Sequence, residues 1–370
     1  MKRIFIVIVL IGFSNSLCSQ GFNWNAEIEK EFKSNVPELK VTRALIPSKY
    51  SLEKYLPSRQ YQGNTAMCMA YALAVGRTIL FAKNKNLTNT EEIDKHIFSP
   101  FFSYVLAMDD NDVNCDLGLY PLVVLNTAKD YGMVKMKNVE YPKYYPFTNN
   151  RLLCSGYPEN YDDFKKDFNS AYHFTIDEFS RLETTMQVKS SIAFNNPVIF
   201  GFDNVPLSFT LVEDGEKYWY PEKYSDKWYC FFEYKNDTNK ICQDLPSHET
   251  GFCIKHNLSA LKDTMGHAML IIGYDDSING GSFLILNSWG SKEMEWADNG
   301  KLWVRYSDFW TYSDVAVSIK KFEESSKLEL ELSKSANRSI PKNMTKVSYE
   351  KSPVAIKNKP KTFQVKNKRQ

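Results

Sequence analysis

A single apolar block dominates the hydrophobic pattern of this 370-residue chain. Between Met67 and Phe81 the only charged residue is Arg77, and Ala70, Ala72, Leu73, Ala74, Val75, Ile79 and Leu80 cover nearly every helical face. Apolar residues all round predict a buried central helix rather than a surface one. Weaker helical spacing recurs in Ala26–Phe32, Glu91–Met108 and Pro121–Tyr131, and Asp177–Phe194 reads as one more helix with Asp177 as its cap. From Val198 onward strand patterns prevail, as in Lys301–Tyr306. Gly266–Tyr274 is one strand and the Phe283–Gly290 stretch a second that ends in Asn287; between them Asp275–Ser282 is a run of turn formers, so they are predicted to pair as an antiparallel hairpin.

Composition fits a folded enzyme-sized body: 43% hydrophobic and 14% aromatic residues can fill one large two-lobed core or two small ones. Lys2 and Arg3 precede an apolar run from Ile4 to Phe13 and a polar Ser14–Gln20 stretch, the pattern of a secretory signal peptide over residues 1–19. Ten apolar residues are too few to span a bilayer, and no other segment approaches that length. Leu17, not a small residue, precedes Cys18, which disfavours a lipid anchor there. The expected location is therefore secreted or periplasmic. Residues 20–45 form a short polar arm or propeptide, 46–190 a mainly helical lobe, 191–322 a mainly strand lobe, and 323–370 a tail. Net charge of +2 conceals a division: residues 333–370 hold 11 Lys or Arg against Glu350 alone, while residues 20–332 hold 33 basic and 43 acidic residues. Poor in aromatics and broken by Pro341, Pro353 and Pro360, the tail cannot bury enough surface to fold alone. It has the charge to contact an anionic surface but lacks the aromatic platform of a single-strand nucleic-acid binder.

Candidate chemistry begins at the start of the apolar helix. Cys68 falls in its first turn, where unpaired N–H groups and the helix dipole favour a thiolate. A lone buried cysteine is more often a core residue, so the case rests on what accompanies it. The predicted hairpin brings His267, near the start of one strand, to the same end as Asn287, at the end of the other. The Asn287 carboxamide can then accept the proton of one ring nitrogen and leave the other for Cys68.

In order along the chain stand Gln62-Gly63, Cys68, Gly118 to Pro121, Tyr131-Gly132-Met133, Asn196-Pro197-Val198, His267, Asn287-Ser288-Trp289-Gly290 and Asn299-Gly300. This ordered set, covering about Ile46 to Phe322, resembles the papain-like (C1) cysteine peptidases, and the short signal and arm look like a bacterial member. The resemblance implies an α+β, two-lobed fold. A central helix begins at the nucleophile, and the second lobe is strand-rich and β-barrel-like. It implies hydrolysis of peptide or protein substrates without cofactor or metal: Cys68 as nucleophile, His267 as acid and base, Asn287 as its orienting partner and Gln62 as oxyanion donor. Gly118 and Leu119 would line the groove, Gly201 and Gly266 would border the substrate, and Trp289 would shield the His267–Asn287 bond.

Departures from the family pattern are as specific. Thr65 and Met69 occupy the places of a second cysteine and an aromatic. His267 and Asn287 lie 199 and 219 residues beyond Cys68, where about 130–150 is usual. Most of the excess falls in an insertion over residues 205–261 that holds Tyr218, Trp219, Tyr220, Trp228, Tyr229, Phe231 and Phe232. Its aromatic density predicts a stapled, strand-rich excursion that either narrows the cleft or thickens the strand lobe. Of the remaining cysteines, the resemblance pairs Cys115 with Cys154. Cys230 and Cys242 flank a turn and could pair, although Cys253 could claim either; a zinc site from Cys242, Cys253 and His256 is less consistent with the spacing than disulfides. A thiol acyltransferase or ligase on the same fold, or a non-catalytic peptide-binding homologue, are the competing functions.

Overall fold

Helix α2 (Cys68–Asn84) runs through the middle of the molecule, with 13 of its 17 residues buried. Of its two charges, Lys83 lies in the last turn, and the buried Arg77 donates from Nε to the Thr175 carbonyl at 3.0 Å and lies over the Phe98 ring. The computed structural model describes residues 21–41, 46–62, 65–108, 112, 117–136, 147–148, 151–152, 171, 174–202, 222–224, 227–230, 266–289 and 299–321. The expected signal peptide, the basic tail, most of the insertion, and Cys18, Cys115, Cys154, Cys242, Cys253 and His256 lie outside them.

Around α2 the helical lobe is built from α3 (Thr90–Asp94), α4 (Pro100–Ala107) and α5 (Pro121–Asp130). The single helix expected over Glu91–Met108 is two. Pro100 keeps Ser99 out of helical geometry and is itself well suited to a first helical position. Ser99 accordingly caps α4, accepting from Phe102 N, and Asn89 caps α3. Ahead of the body, α1 (Ala26–Asn35) is capped by Asn25, whose Oδ1 accepts from Glu27 N and Ile28 N.

Among the described residues the strand lobe is one nine-stranded sheet. Eight strands run in the order β4 (Glu178–Arg181), β11 (Val315–Lys320), β5 (Val198–Phe202), β8 (His267–Asp275), β9 (Ser282–Leu286), β10 (Lys301–Arg305), β7 (Lys227–Cys230) and β6 (Glu222–Tyr224). The ninth, β1 (Lys49–Ser51), pairs with β8. Strands β2 (Phe147–Thr148) and β3 (Arg151–Leu152) form a separate small hairpin. The expected β8–β9 hairpin is present and antiparallel, with a bulge between Ile271 and Gly273. Its centrality explains its composition: β8 is flanked on both edges and packed by α2, and every residue before Asp275 is buried.

Residues 177–194 do not form one helix. The Glu178-Phe179-Ser180-Arg181 run pairs with β11 as edge strand β4, and only then does α6 (Thr185–Ala193) begin. Its cap is Thr184, in a complete capping box with Gln187. Asp177 instead accepts from Lys321 Nζ at 3.0 Å. The last helix, α7 (Tyr306–Tyr312), closes the gap between β10 and β11. Of the insertion, β6 and β7 are described, and they extend the sheet beyond β10, with β7 parallel to it. Among the described residues no helix is long and apolar enough to cross a membrane.

Candidate active site

Cys68 is the first residue of α2, and its Sγ accepts a hydrogen bond from Ala268 N at 3.2 Å. One strand residue earlier is His267. The antiparallel β8–β9 pair then sets Asn287 beside it, and His267 Nε2 meets Asn287 Oδ1 at 2.7 Å. With Nε2–H donated to that carboxamide, the ring's lone pair is at Nδ1. Nδ1 is buried and has no hydrogen-bond partner among the described residues, and neither has Asn287 Nδ2. The Trp289 indole stacks on the imidazole, ring centres 4.1 Å apart and planes at 27°. Trp289 N also donates to Asn287 Oδ1 at 3.3 Å, so the carboxamide is fixed from two sides.

Gln62 is pinned between the lobes. Its Oε1 accepts from Ser288 Oγ at 2.6 Å and its Nε2 donates to the Thr65 carbonyl at 2.8 Å. The backbone adds Gln62 N to Ser288 O at 3.0 Å. Thr65, standing where the resemblance places a second cysteine, returns a hydrogen bond from Oγ1 to the Gln62 carbonyl at 2.7 Å. Local hydrogen bonding thus closes the Gln62–Cys68 turn.

The cleft over Cys68 is filled by the chain's own arm. Gly21 lies so near the sulfur that any β-carbon there would overlap Cys68 Sγ. Residues 21–23 are extended and bonded to both walls: Gly21 N to Gly266 O at 3.3 Å, Leu119 N to Gly21 O at 3.2 Å, and Asn23 N to Leu119 O at 3.1 Å. Phe22 and Leu119 pair as a parallel bridge. The Phe22 ring, 2% exposed, enters a recess floored by Gly201, where a β-carbon would come within 2.5 Å of it. Gly266 is equally constrained, since a side chain there would strike the Phe22 carbonyl.

This cover decides the electrostatics. Burial pushes the Cys68 thiol up to about 12, against the lowering effect of hydrogen bonds from the Ala268 and Met69 backbone. Burial also pushes His267 down to about 4, against the raising effect of its bond to Asn287. The helix start was expected to favour a thiolate; in the covered cleft, desolvation outweighs it and both groups are neutral near pH 7.

The residues singled out in the sequence fall into contacting sets: Cys68 bonds to Ala268, next to His267, which meets Asn287 and Trp289; Gln62 bonds to Ser288 between those two; and Leu119, Gly201 and Gly266 touch the arm, with Gly118 adjacent to Leu119. The sequence reading gave no role to Ser288, Thr65, Ala268, Gly21 or Phe22. Ser288 lay inside a quoted motif. Phe22 and Trp24 carried a signal in being aromatic within an otherwise polar arm.

No protein-family model matches this chain. No curated protein matches it either. Among solved structures it is similar to xylellain, a cysteine protease from Xylella fastidiosa, with 19% identity and a TM-score of 0.54 over 83% of this chain and 97% of that one. It is also similar to digestive procathepsin L2 proteinase from the larval midgut of Tenebrio molitor, with 14% identity and a TM-score of 0.51 over 83% and 79%. The likeness at these identities is one of fold: two-lobed, α+β and papain-like.

Proposed function

We propose that this protein is a papain-like thiol peptidase, described here with its cleft closed by its own N-terminal arm. The observation that carries the reading is the arm itself. The groove over Cys68 holds an extended polypeptide by its backbone, through Leu119 on one wall and Gly266 on the other, and takes an apolar side chain into the Gly201 recess. Such a groove is built to bind peptide main chain.

With the arm displaced, water reaches the cleft and the penalty that keeps Cys68 and His267 neutral falls. His267 Nδ1 takes the thiol proton, and Sγ bonds to the substrate carbonyl carbon. The Cys68 N–H in the first helical turn and the Gln62 Nε2 hydrogen not given to Thr65 stabilise the resulting oxyanion. Collapse breaks the C–N bond as Nδ1–H passes its proton to the leaving amine. Water then attacks the thioester, its proton goes to Nδ1, and the acid departs as the proton returns to sulfur. Asn287 holds the imidazole throughout, and Trp289 shields that bond.

The Gly21 carbonyl of the arm accepts from Leu119 N. A signal peptide over residues 1–19 and export from the cytoplasm complete the reading.

Cys68→Ala and Cys68→Ser are expected to abolish peptide hydrolysis and stoichiometric labelling by a cysteine-directed epoxide while leaving the melting temperature unchanged. Near-native hydrolysis by either variant overturns the assignment.

A further inference from the structure

The arm consists of two parts that are held differently. Residues 21–24 lie in the cleft, and besides the backbone pairs to Leu119 and Gly266 their polar tie is Asn23 Nδ2 to Leu117 O at 2.8 Å. Residues 26–41 belong to the strand lobe. Phe32 and Val36 are each 2% exposed and sit in the main core. After α1 the chain runs along β4, the outermost strand on that side of the sheet: Arg181 N donates to Pro37 O and Leu39 N to Arg181 O, both at 2.9 Å. Side chains lock the same stretch. Arg181 Nε donates to the Val36 carbonyl at 3.1 Å, and Gln187 Nε2 to Glu38 Oε1 and the Leu39 carbonyl at 2.8 Å each.

The consequences of losing each part differ. Without residues 36–39 an edge strand is bared and the buried amide of Gln187 loses its acceptors, the kind of loss that destabilises a fold. Without residues 21–24 the body loses no cap, strand partner or core residue other than Phe22 and Trp24, and Leu119, Gly266 and Cys68 are returned to solvent. Trp24 marks the seam, stacked on Phe22 with ring centres 5.8 Å apart and edge-on to Phe32 at 5.5 Å. Directly after it, Asn25, Ala26 and Glu27 are exposed.

We infer that the arm is a plug joined to an anchor: of its described residues, 21–24 close the cleft, and 25–41 are a permanent part of the strand lobe that the active protein retains. The inference concerns regulation of the site and rests on the peptidase reading above.

The test compares three secreted chains, beginning at Gln20, Asn25 and Ile46, together with Phe22→Ala and Arg181→Ala in the longest. The chain beginning at Asn25 should hydrolyse peptides and take up a cysteine-directed epoxide at Cys68 at least about tenfold faster than that beginning at Gln20, while melting above the chain beginning at Ile46. Phe22→Ala should reproduce part of that gain. The chain beginning at Ile46 should melt lower by about 5 °C or more, or fail to fold. Arg181→Ala should melt lower without faster labelling, which keeps the anchor testable if the short chain is lost. If the Asn25 chain is as slow as the Gln20 chain, or if neither the Ile46 chain nor Arg181→Ala lowers the melting temperature, the division is wrong. Iodoacetamide separates the two readings. Faster alkylation of Cys68 in the Asn25 chain without peptide hydrolysis or epoxide uptake sinks the peptidase and leaves the plug standing.

Discussion

In the proposed mechanism, Gln62 shows how much of the chemistry would depend on single side chains being held still. Both ends of its amide are engaged, Oε1 by Ser288 and Nε2 by Thr65, leaving one N–H for a developing oxyanion. Removing that donor as Gln62→Ala should lower kcat by about 10²–10³ with little change in KM, because the bond is made chiefly in the transition state. Ser288→Ala keeps the donor but frees one end of the amide, so a loss of about tenfold in kcat is expected, smaller than that of Gln62→Ala. Steady-state kinetics on a peptide substrate check both, and a change confined to KM would remove Gln62 from the oxyanion site. At this scale the sequence was legible wherever a residue sat inside a local motif, as Gln62, Cys68, His267 and Asn287 do. Charge state was not legible. It follows from the complete burial of Cys68 and His267, to which Gly21 contributes from a distant part of the chain, and that burial reverses the shift that the helix start alone would give.

Elements were read well where one period persisted and poorly where two signals met. The all-round apolar run gave α2, and the turn formers after Tyr274 gave the β8–β9 hairpin. Residues 91–108 kept a helical period across a break that only Pro100 marks. Residues 177–194 failed for another reason: Asp177 offered an obvious cap, yet Glu178–Arg181 pair with β11 and complete the sheet edge, and the working cap is Thr184. The two caps make unequal predictions. Thr184→Ala removes an oxygen that accepts from Gln187 N at 3.2 Å and should cost about 1 kcal/mol. Asp177→Ala loses a partly exposed ion pair with Lys321 and should cost about 0–1 kcal/mol, near the lower end. Thermal unfolding of the two variants ranks them, and a larger loss for Asp177→Ala would contradict the element boundaries.

At the scale of the whole molecule, the covered cleft ties stability to pH through two neutral groups. His267 has a folded value near 4, below the ordinary 6.5, so its neutral form is favoured by folding. Its contribution is fully present above about pH 6.5 and is lost as the pH falls through 4. Cys68 has a folded value near 12, above the ordinary 9.0. Its contribution is present below about pH 9 and is lost as the pH rises through 12. A thiolate–imidazolium pair would behave oppositely, with His267 raised and Cys68 lowered. The intact chain should therefore lose stability on acidification more steeply than His267→Gln, which carries no titrating ring. Thiolate absorbance of the intact chain minus that of Cys68→Ser should remain small at pH 7 to 9. In the chain beginning at Asn25, where water reaches the sulfur and the helix start is no longer outweighed, the same difference should rise at lower pH. A full thiolate signal at pH 7 in the intact chain, with acid stability equal to that of His267→Gln, would mean that the ion pair persists beneath the arm and that burial does not govern the resting state.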